Sequence, residues 1–526
     1  MSARETARML PRIFFTGLTL ISLLLPARGG GVAKHVVLIV WDGMRPDFVS
    51  PVLTPTLWQL RTNGTWFARH HSVFPTSTEV NGAALATGAY PQRSGILANS
   101  EFRPEINAAK PFGTQELGVI RKGDALTRGH YLAVPTLAEL VQQNGRRTVV
   151  AGTKPVAAFH DRAERTEENA RGLAFFGTDA NPKSLWLQLT NRFGAPPEAA
   201  TPNSQRDEWT TRCLIEQLWA NEVPAFSLLW LSEPDASQHK HGPGAKTSLA
   251  AIRSSDRNLA RVLQELERRG VRSQTDVMVV SDHGFSTVEK GVDVVKSLNR
   301  AGLKVFRSFT NAPSPGDTLL VVNGGAVMLY VTGHDTNVIQ QTVAALQAAS
   351  YAGVIFTRAG LPGTFPLSEA RLDAPHAPDI VVSLQWSSNP SANGTSGMLV
   401  RDSENLVSTL QGMHTSLAPA DLHNLCVAAG PDFRVGFTND IATGNIDVMP
   451  TLAWVLGINP TMTDGRVLSE ALARIDAKPP RIEQKKLEAN ANLPVGRWSQ
   501  CLSISEVNGV RYFDAGNGEF TPAAAR

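Results

Sequence analysis

Cysteine is nearly absent from this chain, with 3 in 526 residues. Cys213, Cys426 and Cys501 are far apart and form no C-x-x-C pair, which excludes a cysteine-built zinc cluster and a disulfide framework, and leaves room for a single unassigned pair at most. A charge excess is lacking too: the formal net charge is +3. Long apolar runs are also missing. The run Ile13 to Leu25 is thirteen residues and contains Thr16, Gly17, Thr19 and Ser22, short of the roughly 20 mostly apolar residues that span a bilayer. With Arg4, Arg8 and Arg12 before it and Pro26-Ala27 after it, this run reads as a cleavable secretory signal over residues 1–27, so the mature chain is expected in the periplasm or outside the cell. No cysteine follows the run closely, which argues against a lipid anchor and leaves no stable membrane attachment after cleavage. Loss of Arg4, Arg8, Arg12 and Glu5 takes the charge from +3 to +1, so no nucleic-acid polymer is implied as a partner. Asn63-Gly64-Thr65 and Asn393-Gly394-Thr395 fit the N-glycosylation triplet, which matters only in a host that glycosylates. There is no internal repeat and no long low-complexity segment.

Short apolar runs are what the chain has instead. His35 to Trp41, Ala225 to Leu231 and Asp276 to Ser281 are continuous rather than alternating, the signature of strands buried on both faces of a mostly parallel sheet. Between the second and third lies an amphipathic helix over 246–270, with Leu249, Ile252, Leu259, Val262, Leu263 and Leu266 opposite a charged face, ended by Gly270. Strand alternating with helix predicts a doubly wound α/β fold. Residues 155–222 and 303–400 read as insertions in a catalytic domain spanning 28–478, the second being a cap beside the site. The tail, 479–526, carries Asn508-Gly509 between apolar residues, which predicts a hairpin.

Each of the three apolar runs ends in polar residues of metal-binding type: Asp42 after the first, Asp235 after the second, Asp282 and His283 after the third. Open α/β sheets bind ligands outside the carboxyl ends of their strands, so these residues are expected along one edge. Asp235 and His239 are four apart and face one side of a helical turn. His414 follows in Gly412-Met413-His414, and Thr78 with Asn81 stands at the expected start of a helix in Phe74-Pro75-Thr76-Ser77-Thr78-Glu79-Val80-Asn81-Gly82. Taken singly these are commonplace: a turn aspartate, a surface Asp/His pair, a solvated histidine, a helix cap. Together they make three carboxylates, three imidazoles and one hydroxyl, a donor set suited to two metal ions sharing one nucleophile.

The order of these motifs resembles the nucleotide pyrophosphatase/phosphodiesterase branch of the alkaline phosphatase superfamily. The likeness runs over roughly residues 35–460: Asp-Gly after the first strand, Phe-Pro-Thr-x-Thr-x-x-Asn, Thr87-Gly88 with Pro91 and Gly95-Ile96, Glu-Pro-Asp-x-x-x-His-x-x-Gly-Pro, Asp-His-Gly, a late Gly-x-His, then Gly430-Pro431-Asp432-Phe433 and Asn445 to Leu452. It implies an alkaline phosphatase-like fold in which Asp42, Thr78, Asp282 and His283 bind one zinc and Asp235, His239 and His414 the other. Manganese or iron would suit the same donors. Two divalent ions would offset the charge of three carboxylates and a Thr78 alkoxide, and the implied chemistry is two displacements through a phosphothreonine on a small phosphorylated substrate. Asn81, one turn after Thr78, is expected to donate its amide to a phosphoryl oxygen.

Departures from the family pattern concern specificity. Glu79 and Val80 stand where nucleotide-cleaving members commonly carry an aromatic, and a carboxylate at Glu79 is expected to repel a second negative charge, which favours diesters over monoesters. His241 competes with His239 as a ligand, and His239 fits better. A sulfatase would need Cys/Ser-x-Pro-x-Arg for its formylglycine, and this segment has neither. A phosphonoacetate hydrolase or phosphomonoesterase on the same scaffold, and a catalytically dead binding protein, are the alternative readings.

Overall fold

A computed structural model describes residues 30–163, 171–405, 408–476 and 478–523; the signal-peptide reading lies outside them. Nine strands form the central sheet: β1 His35–Trp41, β2 Thr65–Phe67, β3 Thr148–Gly152, β4 Gly172–Phe176, β5 Asp179–Asn181, β6 Phe226–Leu231, β7 Thr275–Val280, β8 Cys426–Ala429 and β9 Phe437–Asn439, in the order β9-β2-β8-β7-β1-β6-β3-β4-β5. The run β7-β1-β6-β3-β4 is parallel throughout. Its continuous apolar strands follow from burial on both faces: Val36, Leu38 and Val40 enter one core, and Val37, Ile39 and Trp41 the other. The mixed α/β architecture around a mostly parallel sheet is the expected fold class.

Helix α1, Thr78–Thr87, and helix α4, Asn445–Val455, pack on one another, while α2, Asp235–His241, leads into α3, Lys246–Arg268. Residues 155–222, expected as an insertion, contribute β4 and β5 to the central sheet, so their mixed composition reflects an edge of the main fold. Residues 303–400 hold all six strands of a second sheet, with the helix Thr336–Gln347. Gly325 N–H from that sheet donates to the His414 carbonyl at 2.8 Å, which ties this segment to the site. A four-stranded sheet pairs Ser286 with Met413 and so carries His414 toward His283.

The tail forms a three-stranded antiparallel sheet over Ile482–Leu493, Gly496–Val507 and Val510–Pro522. Asn508 and Gly509 both take positive φ at its second turn, the conformation that a two-residue hairpin needs. This sheet docks beside the segment that leads to Thr78. Tyr512 donates to Asp447 at 2.7 Å, and the Asp514 carboxylate meets His71, Arg69 and Ser505. His71, His423 and Asp514 lie close enough to hold a metal, but Arg69 already neutralises the carboxylate. The three cysteines are free, two of them buried. Among the described residues no helix is long and apolar enough to cross a membrane.

Asp276, at the start of β7, is buried, and its Oδ1 accepts the Asp432 amide at 3.2 Å. Burial, reinforced by the Asp432 charge, pushes its carboxyl up to about 8. Since the unfolded value is about 3.9, the folded chain binds the extra proton between those limits, and stability from this group is lost as pH rises from about 4 to about 8. Asp276→Asn keeps the hydrogen bond without the charge, so its melting temperature should gain on the parent between pH 5 and pH 8. A pH-independent difference in thermal melts would contradict this.

Candidate metal centre and active site

The expected donors converge from the carboxyl ends of β1, β6 and β7. Asp42 directly follows β1, and its carbonyl accepts the Asp235 amide at 2.9 Å. Gly43 N–H donates to Asp282 Oδ1 at 3.0 Å, so two residues of one turn reach both halves of the site. Gly43 has φ +72°, and a Cβ there would lie 3.1 Å from the Asp235 backbone, a combination only glycine accepts without strain. Gly412 serves likewise, since a Cβ there would meet the Gln238 carbonyl at 2.5 Å.

Two groups of donors result, each with its ligand atoms within 4.8 Å of one another: Asp42, Asp282 and His283, and Asp235, His239 and His414. In the first, His283 Nε2 stands 3.6 Å from Asp42 Oδ1, 3.3 Å from Asp282 Oδ2 and 3.2 Å from the Thr78 hydroxyl. In the second, Asp235 Oδ1 is 3.1 Å from His239 Nε2 and 3.7 Å from His414 Nε2. The groups meet where the His283 and His414 rings stack, with centroids 3.7 Å apart. His241 is exposed and lies outside both.

Hydrogen bonds decide which nitrogen of each ring is free. His283 Nδ1 faces the Gly284 carbonyl at 2.9 Å and His414 Nδ1 the Thr76 carbonyl at 2.8 Å. A carbonyl requires N–H at Nδ1, so both rings turn a lone pair at Nε2 inward. Burial, followed for His414 by the neighbouring His283 and His239, holds both histidines below the ordinary value. The carboxylates differ. Burial, and then the charge of Asp282, raises Asp42 well above the usual range, and burial pushes Asp282 up to about 6 against the pull of Lys154. Burial opposes ionisation of Asp235 as well, but Lys154 and His239 overcome it and hold that carboxyl well below the usual range.

Three inward oxygens, Asp42 Oδ1, Asp235 Oδ1 and Asp282 Oδ2, are buried and accept no hydrogen bond from the protein. Orphaned carboxylate oxygens are costly unless a cation satisfies them. Facing imidazole lone pairs, they make a donor set that fits one divalent cation per group. A cavity of about 740 Å³ lies elsewhere, against Ile120, Arg121 and Phe176.

Helix α1 begins at Thr78 itself, with Ser77 as its N-cap, so the hydroxyl stands at a helix N-terminus, where the first N–H groups point outward and have no carbonyl partner a turn earlier in the helix. Asn81 cannot take the role expected of it. Its Nδ2 donates to the carbonyls of Val73 at 3.0 Å and Ser77 at 3.1 Å, and its Oδ1 accepts from Val73 N–H and Asn445. Both amide protons are therefore spent on shaping the turn before α1. Asn99 is the residue that sequence reasoning missed. Its Oδ1 accepts the Glu79 amide at 3.0 Å, beside the hydroxyl, and no described residue takes its Nδ2. It stands in Leu97-Ala98-Asn99, just after the Gly95-Ile96 motif, and no spacing rule linked it to Thr78. Glu79 is buried, and burial pushes its carboxyl up to about 8 against Lys154. Burial and Lys154 thus offset the repulsion expected from its charge.

The chain resembles known proteins in sequence and in fold. A profile of the Type I phosphodiesterase / nucleotide pyrophosphatase family matches residues 36–414. The chain belongs to that family. Its relatives include mouse ectonucleotide pyrophosphatase/phosphodiesterase family member 1, 25% identical over 251 residues, which are 46% of this chain and 23% of that protein. Human bis(5'-adenosyl)-triphosphatase ENPP4 is 24% identical over 267 residues, 48% of this chain and 47% of that protein. The chain therefore spans less than half the length of either relative. Murine ectonucleotide pyrophosphatase/phosphodiesterase 5 has a similar fold, with a TM-score of 0.61 and 18% identity over 84% of this chain and 100% of that one. A structure of the same murine protein, described as an inactive threonine-to-alanine variant in complex with AMP, gives 0.60 at 18% identity, over 84% of this chain and all of that one.

If each group holds one cation, the purified protein should carry about two divalent ions per chain, as in other two-metal sites. His414→Ala should reduce this to about one. An unchanged count by elemental mass spectrometry would place the ligand elsewhere.

Proposed function

We propose that the chain is a two-zinc hydrolase of small phosphate esters, acting on phosphodiesters or pyrophosphates through a phosphothreonine on Thr78, and that it works after secretion. The carrying observation is the Thr78 hydroxyl at a helix N-terminus, 3.2 Å from His283 Nε2, whose ring stacks on His414 of the second group. The named relatives, phosphodiesterases and a dinucleoside triphosphatase, supply the substrate class. The inactive threonine-to-alanine relative supports a threonine in the leading role.

Asp42, Asp282 and His283 would hold one cation with Thr78, and Asp235, His239 and His414 the other. Bound there, two divalent cations would favour the ionised hydroxyl and offset the charge that develops in an in-line displacement. The protein's own part is positioning. Thr78 Oγ1 attacks phosphorus, the P–O bond to the leaving alkoxide or phosphate breaks, and the phosphoryl group, still carrying its other substituent, passes to Oγ1; water then displaces Thr78 and releases a phosphomonoester. Asn99 Nδ2 and the Thr78 N–H donate to the phosphoryl oxygens. Trp230 Nε1 donates to Asp42 Oδ2 at 2.9 Å and fixes that carboxylate.

Hydrolysis of bis-p-nitrophenyl phosphate should be abolished by a chelator. Thr78→Ala should lower kcat by at least about 10³-fold, the scale on which losing a nucleophile is felt, with metal content unchanged. Full activity in Thr78→Ala would overturn the assignment.

A further inference from the structure

Lys154 is a cation that the motifs do not include. It follows β3, the fourth parallel strand to deliver a side chain to this edge, in the turn Gly152-Thr153-Lys154-Pro155. The turn is held tightly: Thr153 N–H donates to the Trp230 carbonyl at 2.9 Å, and a Cβ on Gly152 would lie 2.2 Å from that of Ala157. Lys154 Nζ is 2.9 Å from Asp42 Oδ2 and 3.0 Å from Asp235 Oδ2, so it bridges the two groups on the carboxylate oxygens that face away from the imidazoles. Among the described residues no arginine and no other lysine pairs with the three carboxylates. The Lys154 side chain is 20% exposed, against 0% for Asp42 and 7% for Asp235, which puts it on the solvent side of the two carboxylates. An ammonium has three N–H donors. Two are used, and no described residue takes the third.

We infer that Lys154 donates its third N–H to a non-bridging oxygen of the phosphoryl group and makes the site accept a dianionic phosphoryl group, so that phosphate monoesters are substrates beside diesters. The inference rests on the phosphoryl-transfer reading above. Two divalent ions only balance three carboxylates and an ionised Thr78, whereas Lys154 adds a net positive charge. A monoester brings two negative charges to that surplus and a diester one. The ammonium is a point donor that needs no planar partner, and an ion-assisted hydrogen bond in a partly buried site is among the stronger ones.

The test uses the full chain with its metals and compares Lys154→Met, similar in shape but uncharged, with Lys154→Arg, which keeps the charge. In Lys154→Met, kcat/KM for p-nitrophenyl phosphate should fall at least about tenfold further than for bis-p-nitrophenyl phosphate, and the affinity for inorganic phosphate by calorimetry should fall about tenfold, as loss of a charged hydrogen bond implies. Metal content should stay at the parent's value, and Lys154→Arg should keep the parent's preference within about threefold. Equal losses on the two esters, an unchanged phosphate affinity, or loss of metal from Lys154→Met would each overturn the inference. Phosphate affinity reads Lys154 without turnover, whereas a parent protein with neither metal nor hydrolysis would count against the phosphoryl-transfer reading instead.

Discussion

Everything in this molecule is arranged around the cost of burying three carboxylates together. Asp42 and Asp282 are fully buried and Asp235 nearly so, and like charges at this spacing resist ionisation. The fold answers with directed compensation. Trp230 and Lys154 take the outer oxygen of Asp42, Gly43 and the His283 amide take Oδ1 of Asp282, and Lys154 takes the outer oxygen of Asp235. The inner oxygens are left for cations, beside imidazoles whose tautomers are set by the Gly284 and Thr76 carbonyls. Such a site is pre-organised: its charge is balanced only when the ligands it selects are present.

The parallel sheet makes that convergence possible. Each strand end delivers one or two side chains to one edge, and the short turns after them carry glycines because adjacent motifs nearly touch. The six-stranded sheet over the 303–400 region holds the His414 backbone through Gly325. The C-terminal sheet presses Tyr512 and Asp514 against the elements around Thr78.

What was legible in the sequence was what burial and spacing write into single segments. The apolar runs His35 to Trp41 and Ala225 to Leu231 announced strands covered on both faces, and the polar residues at their ends announced a shared edge. The spacing of Asp235 and His239 announced one helical face. What was illegible depended on long-range hydrogen bonds. No residue pattern distinguishes Asn81, which spends its amide on the turn before α1, from Asn99, whose amide stays free in the loop just before the strand Ser100–Glu101. Lys154 drew no notice in the sequence because its partners, Asp42 and Asp235, lie more than eighty residues away along the chain in either direction. Residues 155–222 looked like an insertion because β4 and β5 are short and one of them runs antiparallel at the sheet edge.

The central claim is that the Thr78 hydroxyl carries the phosphoryl group. It is tested most directly by mixing the metal-loaded protein with bis-p-nitrophenyl phosphate, quenching in acid within the first turnovers, and mapping phosphorylation by peptide mass spectrometry. The account predicts a p-nitrophenylphosphoryl group, one p-nitrophenolate having left, on the peptide containing Thr78, on that threonine and absent without metal. Turnover under the same conditions with Thr78 unmodified, or with the p-nitrophenylphosphoryl group on another side chain, would contradict it.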